Sequence, residues 1–156
     1  MKYWLLKSEA ETFSLKDLKN SPDQTTYWDG VRNYQARNFI RDEMKPGDKA
    51  LFYHSNSEPN AVAGVCKIVK EAYPDFTAFD PKNEHYDPKS NKENPTWFMV
   101  DVKWEKEFKN PVTLQSIKAN PKLRNMKLVQ PGSRLSVMPV TKEEFDEIIN
   151  MSKLQK

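Results

Sequence analysis

A tryptophan followed by hydrogen-bonding residues stands just before the clearest predicted helix, in the segment Trp28-Asp29-Gly30-Val31-Arg32-Asn33. The free N–H groups of a helix N-terminus suit anionic or carbonyl-bearing ligands. The indole of Trp28 can stack a planar ring, and the Asp29 carboxylate can accept from an exocyclic amine such as that of cytosine. Both residues also have structural explanations, since Trp28 can fill a core and Asp29 can cap the helix. The pattern favours a pocket that stacks a base and reads its edge.

Further polar residues stand at the predicted ends of strands. Lys7-Ser8-Glu9 follows the first strand, His54-Ser55-Asn56 follows the second, and Gly132-Ser133-Arg134-Leu135-Ser136 precedes the last. We expect Ser8, Asn33 and Ser55 to help read a base edge, although Ser55-Asn56 is also typical of a turn. The residues expected to hold flanking phosphates are basic: Lys7, Arg32, Arg37, Lys127 and Arg134.

The residue patterns that most enzymes and metal sites need are absent from this sequence. The four glycines form neither a G-x-G-x-x-G fingerprint nor a P-loop. There is no H-E-x-x-H motif, and His54 and His85 have no metal-ligand spacing with Cys66. Cys66 lies between Val65 and Ile68 in a predicted strand, which indicates a buried thiol, and a His54–Cys66 nucleophile pair is the remaining catalytic alternative. We expect no cofactor, no bound metal and no catalytic residue.

Length, charge and cysteine content are typical of a small intracellular domain. The 156 residues fit a single domain, residues 1–156. Net charge is only +3, but Lys109 to Lys142 holds seven basic residues and no acidic one, which fits an anionic polymer as partner and fits an unevenly charged but inert surface equally well. A single cysteine excludes an internal disulfide, and no apolar run approaches the roughly 20 residues of a membrane helix. We expect a cytoplasmic protein with no membrane partner.

Alternating strands and helices predict an α+β fold in which these residues meet. The predicted strands are Tyr3–Lys7, Lys49–His54, Ala61–Lys70, Trp97–Trp104 and Arg134–Val140. The predicted helices are Ser14–Leu18, Val31–Met44, Thr113–Asn120 and one opened by the capping box Thr141–Glu144. Residues 71–96, with four prolines and four aromatics, predict a packed loop over one edge of a small curved sheet or open barrel. That loop either contacts a ligand or serves only as a structural flap.

Several long segments resemble the EVE domain family, which includes the thymocyte nuclear protein. They are Tyr3–Glu9, Trp28–Asn38, Phe52–Asn56, Ala72–Asp75, Tyr86–Ser90 and Ser133–Val137. The resemblance runs in family order from Met1 to about Ile149, with Ala10 departing from the family's usual proline. It implies a PUA-like fold, with a curved mixed sheet or open pseudo-barrel and flanking helices. It also implies kinship with proteins that recognise modified bases. EVE proteins themselves are linked to modified cytosines in DNA.

A more distant resemblance links the chain to the YTH readers of methyladenosine in RNA. Tyr27-Trp28-Asp29 resembles the segment whose tryptophan lines their methyl-base cage, and Trp97 falls near a second cage aromatic. Ser133-Arg134 resembles the segment that supplies a phosphate-contacting arginine. The full set expected to bind a base is Ser8, Glu9, Trp28, Asp29, Asn33, Tyr53, His54, Ser55, Asn56, Trp97, Ser133 and Leu135.

The sequence therefore predicts a non-catalytic reader that holds a methylated or hydroxymethylated base, flipped into an aromatic pocket. The partner is a nucleic acid carrying modified bases, either DNA or RNA, and a separate effector protein would supply the downstream action. Two alternatives stay open: an enzyme that processes nucleic-acid bases, and a protein- or small-ligand-interaction module with the same pocket.

Overall fold

The structure of the chain is a computed structural model that describes residues 1–131 and 135–153. Within those residues the strands and α-helices follow in the order β1 (Tyr3–Glu9), α1 (Leu15–Lys19), β2 (Thr25–Tyr27), α2 (Tyr34–Asn38), β3 (Lys49–Ser55), β4 (Ala61–Pro74), β5 (Phe98–Thr113), α3 (Leu114–Ala119), β6 (Val137–Val140) and α4 (Lys142–Ser152). The predicted α+β class is confirmed. No helix in the described part of the chain is both long and apolar enough to cross a membrane.

The strands form one open mixed sheet with the order β2-β5-β4-β3-β1-β6. β1 runs parallel to β3, with Tyr3 opposite Lys49, and the remaining neighbours are antiparallel. The register between β4 and β5 shifts at several points. Such bulges bend long strands and increase their twist.

The interior strand β1 explains why the sheet carries a core on each face. Trp4, Leu5 and Leu6 are fully buried, and successive side chains of a strand point to opposite faces. Trp4 and Leu6 belong to a hydrophobic cluster that also contains Trp28, whereas Leu5 belongs to a second cluster with Met138. The predicted buried strand Tyr3–Lys7 is confirmed, because a strand covered on both faces reads as a continuous apolar run.

The helix predicted over Val31–Met44 begins three residues later than predicted and changes from α-helix to π-helix along its length. α2 covers Tyr34–Asn38 because the Asn33 side chain caps it by accepting from the Ala36 N–H at 3.0 Å. A π-helix then spans Phe39–Glu43. The backbone of residues 28–33 is free of helix, and Gly30 within it has a left-handed φ of +79°.

The strands after the middle of the chain are longer than predicted, and one strand was not predicted. β4 continues through Pro74 and β5 through Thr113, so the predicted loop 71–96 begins as strand. Its next residues, Phe76–Phe79, form a 3₁₀ turn. The three-residue edge strand β2 is too short to leave a periodic signal.

Two kinds of local sequence pattern, helix caps and an in-strand glycine, correctly predicted local structure. Ser14 caps α1 and Thr141 caps α4, each in a capping box, as predicted. Of the predicted strand Arg134–Val140, β6 covers only Val137–Val140: Leu135 and Ser136 are not in the strand, and Arg134 lies outside the described residues. Gly64 marks a close backbone approach, because a Cβ there would lie 2.1 Å from the Lys106 carbonyl oxygen.

Candidate functional site

A cleft of about 690 Å³ opens where the end of β1 faces the segment that follows β2. The wall is completed by Ser136, which directly precedes β6, and by two residues of the loop between β4 and β5. The lining residues are Lys7, Ser8, Glu9, Thr12, Phe13, Thr26, Tyr27, Trp28, Asp29, Gly30, Val31, Glu84, His85 and Ser136.

Trp28 is both a core residue and part of the cleft wall. Its backbone N–H donates to the Val100 carbonyl at 2.7 Å, which holds it beside β5. Its ring meets Phe52 edge to face, with centroids 5.5 Å apart and planes at 87°. The side chain is 8% exposed, and the remaining exposed part borders the cleft. A ring fixed in this way presents a rigid apolar surface to any ligand in the cleft.

Asp29 and His85 face each other across the cleft wall. His85 Nδ1 lies 3.3 Å from Asp29 Oδ2. Gly30 has φ +79° and lies directly against the imidazole, because a Cβ at this position would lie 2.6 Å from two ring atoms of His85. Glycine therefore satisfies both the left-handed backbone and the close contact with His85.

The loop between β4 and β5 is held against the Trp28 segment by the buried carboxylate of Asp75. This carboxylate accepts from the Gly30 N–H at 2.8 Å, from Arg32 Nη1 at 3.0 Å and from the Thr77 N–H at 2.9 Å. Burial alone would raise the pKa of Asp75, but the hydrogen bonds from Thr77, Gly30 and Arg32 outweigh it and hold the pKa below its usual range. Arg32 also donates to the His85 carbonyl at 2.6 Å.

The end of β1 contributes three polar residues to the cleft. The Ser8 hydroxyl donates to the Phe13 carbonyl at 2.6 Å, so its hydrogen already stabilises the following turn. Glu9 Oε1 accepts from the Asn56 side chain at 2.8 Å. Lys7 is half-buried, and burial lowers the pKa of its amine. Among the predicted phosphate contacts that the structure describes, Lys7 is the one that borders the cleft.

The residues at the end of β3 do not line the cleft. His54 Nε2 accepts from the Leu15 N–H at 3.1 Å, and burial lowers the pKa of this imidazole. Tyr53 is buried in the second core cluster, and the Ser55 carbonyl accepts from Ser57. The structure brings Asn56 to the edge of the site only through its bond to Glu9.

Trp97 lies outside the cleft, in a stack of aromatic and cationic groups. Its ring is stacked on Tyr34 with centroids 5.0 Å apart, and its Nε1 donates to Asp87 at 2.6 Å. The Arg32 guanidinium lies 5.4 Å from the Trp97 ring, and that of Arg37 lies 5.1 Å from the Tyr34 ring. The structure therefore does not place Trp97 beside Trp28 as a second wall of one cage, and both arginines already have protein partners.

The other predicted residues are dispersed. Asn33 caps α2. Lys127 is exposed on a 3₁₀ turn that follows α3 and does not border the cleft. Leu135 is partly buried against both core clusters, and Ser133 and Arg134 lie outside the described residues.

The expected set omitted several residues that the structure places in the cleft wall. The largest such group, Thr12, Phe13, Thr26 and Tyr27, comes from short segments next to β1 and β2. Glu84 and His85 come from the long loop, whose aromatic content was the signal that it packs on the protein. Their place in the cleft depends on contacts 45 to 53 residues apart in sequence, such as Gly30–Asp75 and Arg32–His85, and no local pattern shows these.

The structure separates the residues of the catalytic alternative. Cys66 is fully buried, and burial raises the pKa of its thiol to about 12. Cys66 pairs with Ala50 whereas His54 pairs with Ala61, so the two lie about four residues, or ~13 Å, apart along β3. Among residues 1–131 and 135–153, no three His, Cys, Asp or Glu residues are grouped as a metal site requires.

The class of protein follows from comparison with known families. The EVE domain family matches residues 2–151, which is nearly the whole chain. The chain belongs to the EVE domain family, and its open mixed sheet is the fold of solved members of that family.

Particular relatives cover nearly the same length. Human thymocyte nuclear protein 1 is 48% identical over 166 residues, which cover 96% of this chain and 73% of that protein. A crystal structure of human THYN1 protein in complex with 5-methylcytosine containing DNA superposes with a TM-score of 0.95 at 46% identity, with all of both chains covered. A hypothetical protein from Leishmania major gives a TM-score of 0.92 at 46% identity, with 98% of this chain and 95% of that chain covered.

Proposed function

We propose that this protein is a non-catalytic reader of DNA that carries a modified cytosine, and that it holds that base, turned out of its stack, in the cleft beside Trp28. The observation that carries the proposal is the match over the full chain to human THYN1, whose structure holds DNA containing 5-methylcytosine. The cleft supports it independently, since a rigid indole, a carboxylate and a lysine converge there.

The first contribution to affinity is stacking or edge contact with Trp28. Extruding a base from a duplex costs a few kcal/mol. Contact with one aromatic side chain recovers about 1–3 kcal/mol per base. The indole needs no reordering on binding, because Phe52 and the bond to Val100 already fix it.

The second contribution is recognition of the base edge. Asp29 supplies a carboxylate that can accept from the exocyclic amine of cytosine. A methyl group in an apolar niche adds about 1–3 kcal/mol, so preference for the modified base should be about 10- to 200-fold. Phe13 and Val31 are apolar residues of the cleft wall that can form such a niche.

The third contribution is electrostatic attraction to the phosphates. Lys7 is positioned for it, since it borders the cleft and no carboxylate of the described chain lies within ion-pair distance of its amine. Further residues proposed to contact the phosphates are Arg32, Arg37, Lys127 and Arg134. Affinity should fall as salt rises, because each neutralised phosphate releases counterions.

The finer parts of the proposal concern partners and setting. The alternative partner to modified DNA is RNA that carries a modified base. Because a reader has no chemical output of its own, a separate effector protein is proposed to act on the marked site. An intracellular, cytoplasmic setting stays part of the proposal, as does the absence of catalysis.

The test is a fluorescence polarisation titration with matched duplexes that carry one 5-methylcytosine, one 5-hydroxymethylcytosine or plain cytosine, and with the equivalent RNAs. We expect the wild-type protein to prefer modified DNA, and Trp28→Ala to lose that preference while salt-sensitive binding persists. Trp28→Phe should retain part of the preference.

Trp104→Phe is the matched control, because Trp104 packs on the same core cluster but does not border the cleft. It should keep the full preference. Equal preference in Trp28→Ala and the wild type would refute the assignment of the pocket. Conversion of the modified base during incubation would favour the enzyme alternative instead.

A further inference from the structure

Two large aromatic side chains stay exposed at the edge of the cleft. Tyr27 is 43% exposed and Phe76 is 50% exposed. Their rings are in contact, with centroids 4.9 Å apart and planes at 66°. Tyr27 lines the cleft and directly precedes Trp28. In the described part of the chain only four other large hydrophobic residues are exposed, and adjoining exposed aromatics of this kind mark a contact surface.

The backbone on each side of this aromatic pair is held by hydrogen bonds within the protein. Tyr27 ends β2, where it pairs with Asp101 of β5. Phe76 begins the 3₁₀ turn that follows Asp75, and the Asp75 carboxylate bonds both the Thr77 N–H within that turn and the Gly30 N–H beside the cleft. The backbone positions of both residues are thus set relative to the cleft, which limits the conformational freedom lost on binding.

We propose that Tyr27 and Phe76 form a second stacking site, which takes the nucleobase next to the one held in the cleft. This inference rests on the proposed function. Extruding one base leaves its neighbour with an uncovered face, and a protein aromatic can cover it. Tyr27 and Trp28 both line the cleft, so the second site adjoins the first. Continuity with the cleft therefore favours a nucleobase as the occupant over a protein side chain.

The test uses duplexes in which 2-aminopurine stands beside a single 5-methylcytosine. This fluorophore is quenched while stacked and brightens when its neighbour leaves the stack. With the wild-type protein we expect it to stay quenched on binding, because the aromatic pair replaces the lost neighbour. Tyr27→Ala and Phe76→Leu should each leave it bright, and should weaken binding on the order of 10-fold. Tyr27→Phe, which keeps the ring, should restore the quenching that Tyr27→Ala loses.

Tyr86→Ala is the matched control, since Tyr86 is 41% exposed but belongs to neither the pair nor the cleft wall. Thermal unfolding of each variant checks that the fold is intact. Wild-type affinity and quenching in both Tyr27→Ala and Phe76→Leu would overturn the second stacking site, and so would an equal loss in Tyr86→Ala. A wild-type protein that prefers modified DNA in those same experiments would leave the proposed function standing. Absence of any preference in the wild type would reject both.

Discussion

Asp75 shows how one buried residue outside the cleft wall can determine the shape of that wall. Its carboxylate bonds the backbone of Gly30 and the guanidinium of Arg32, and Arg32 in turn holds the carbonyl of His85. His85 then packs on Gly30 opposite Asp29. The wall of the cleft therefore depends on a residue that has no contact with the cleft itself.

We expect Asp75→Asn to destabilise the protein by about 3 kcal/mol, because it breaks a buried charged pair. The pKa of Asp75 is lowered in the folded state, so its stabilisation is present above about pH 4 and is lost as pH falls through the folded pKa. Urea unfolding of both proteins between pH 7 and pH 3 measures this. The difference in free energy of unfolding between the wild type and Asp75→Asn should become smaller toward pH 3.

Asp80→Asn provides the comparison, because Asp80 is exposed in the same loop. It should change the free energy of unfolding by less than about 0.5 kcal/mol. A constant gap between Asp75→Asn and the wild type at all pH values would show that the charge of Asp75 is not what stabilises the loop.

At the scale of elements, the site depends on three segments that the sheet brings together. The end of β1 supplies Lys7 to Glu9, the edge strand β2 places Trp28, and the loop between β4 and β5 supplies His85. β4 and β5 must lie close together for that loop to reach the Trp28 segment. At Gly64 the backbone of β5 leaves no room for a side chain on β4.

Gly64→Ala should therefore destabilise the fold, by about 2 kcal/mol, since a Cβ would meet the Lys106 carbonyl oxygen at 2.1 Å and the Glu107 Cα at 3.0 Å. Thermal or urea unfolding provides the measurement. Val69→Ala, on an exposed part of the same strand, should have little effect. Equal stability of Gly64→Ala and the wild type would mean that the two strands can separate there at no cost.

At the scale of the whole molecule, binding and folding are linked. A ligand that binds only the folded state at 100 times its Kd stabilises it by about 2.7 kcal/mol. For a chain of this size we expect the methylated duplex to raise the Tm by roughly 5–10 °C.

Plain duplex at the same concentration should raise the Tm by less, and Trp28→Ala should remove the difference between the two duplexes. Differential scanning fluorimetry at fixed salt measures both shifts. Identical shifts for the two duplexes with the wild-type protein would contradict selective reading of the modified base.

The predicted elements differ from the observed ones in ways that have physical causes. Caps such as Ser14 and Thr141 were predictable, because capping depends on residues three apart. The start of α2 was misplaced because the Val31–Met44 periodicity could not show that Asn33 caps the helix and that residues 39–43 widen into a π-helix. β2 was missed because an edge strand of three residues is held by its partner β5 rather than by its own pattern.

The sequence by itself determined the family, the α+β class and the buried β1 strand, since each is encoded in residues close together in the chain. Only the tertiary structure decided which other residues join the Trp28-Asp29-Gly30 segment. It placed Tyr53, His54 and Trp97 in structural contacts and brought His85 and Tyr27 to the cleft. The physical reason is that the cleft is closed by contacts between residues about 50 positions apart, which depend on sheet order and loop packing rather than on local propensity.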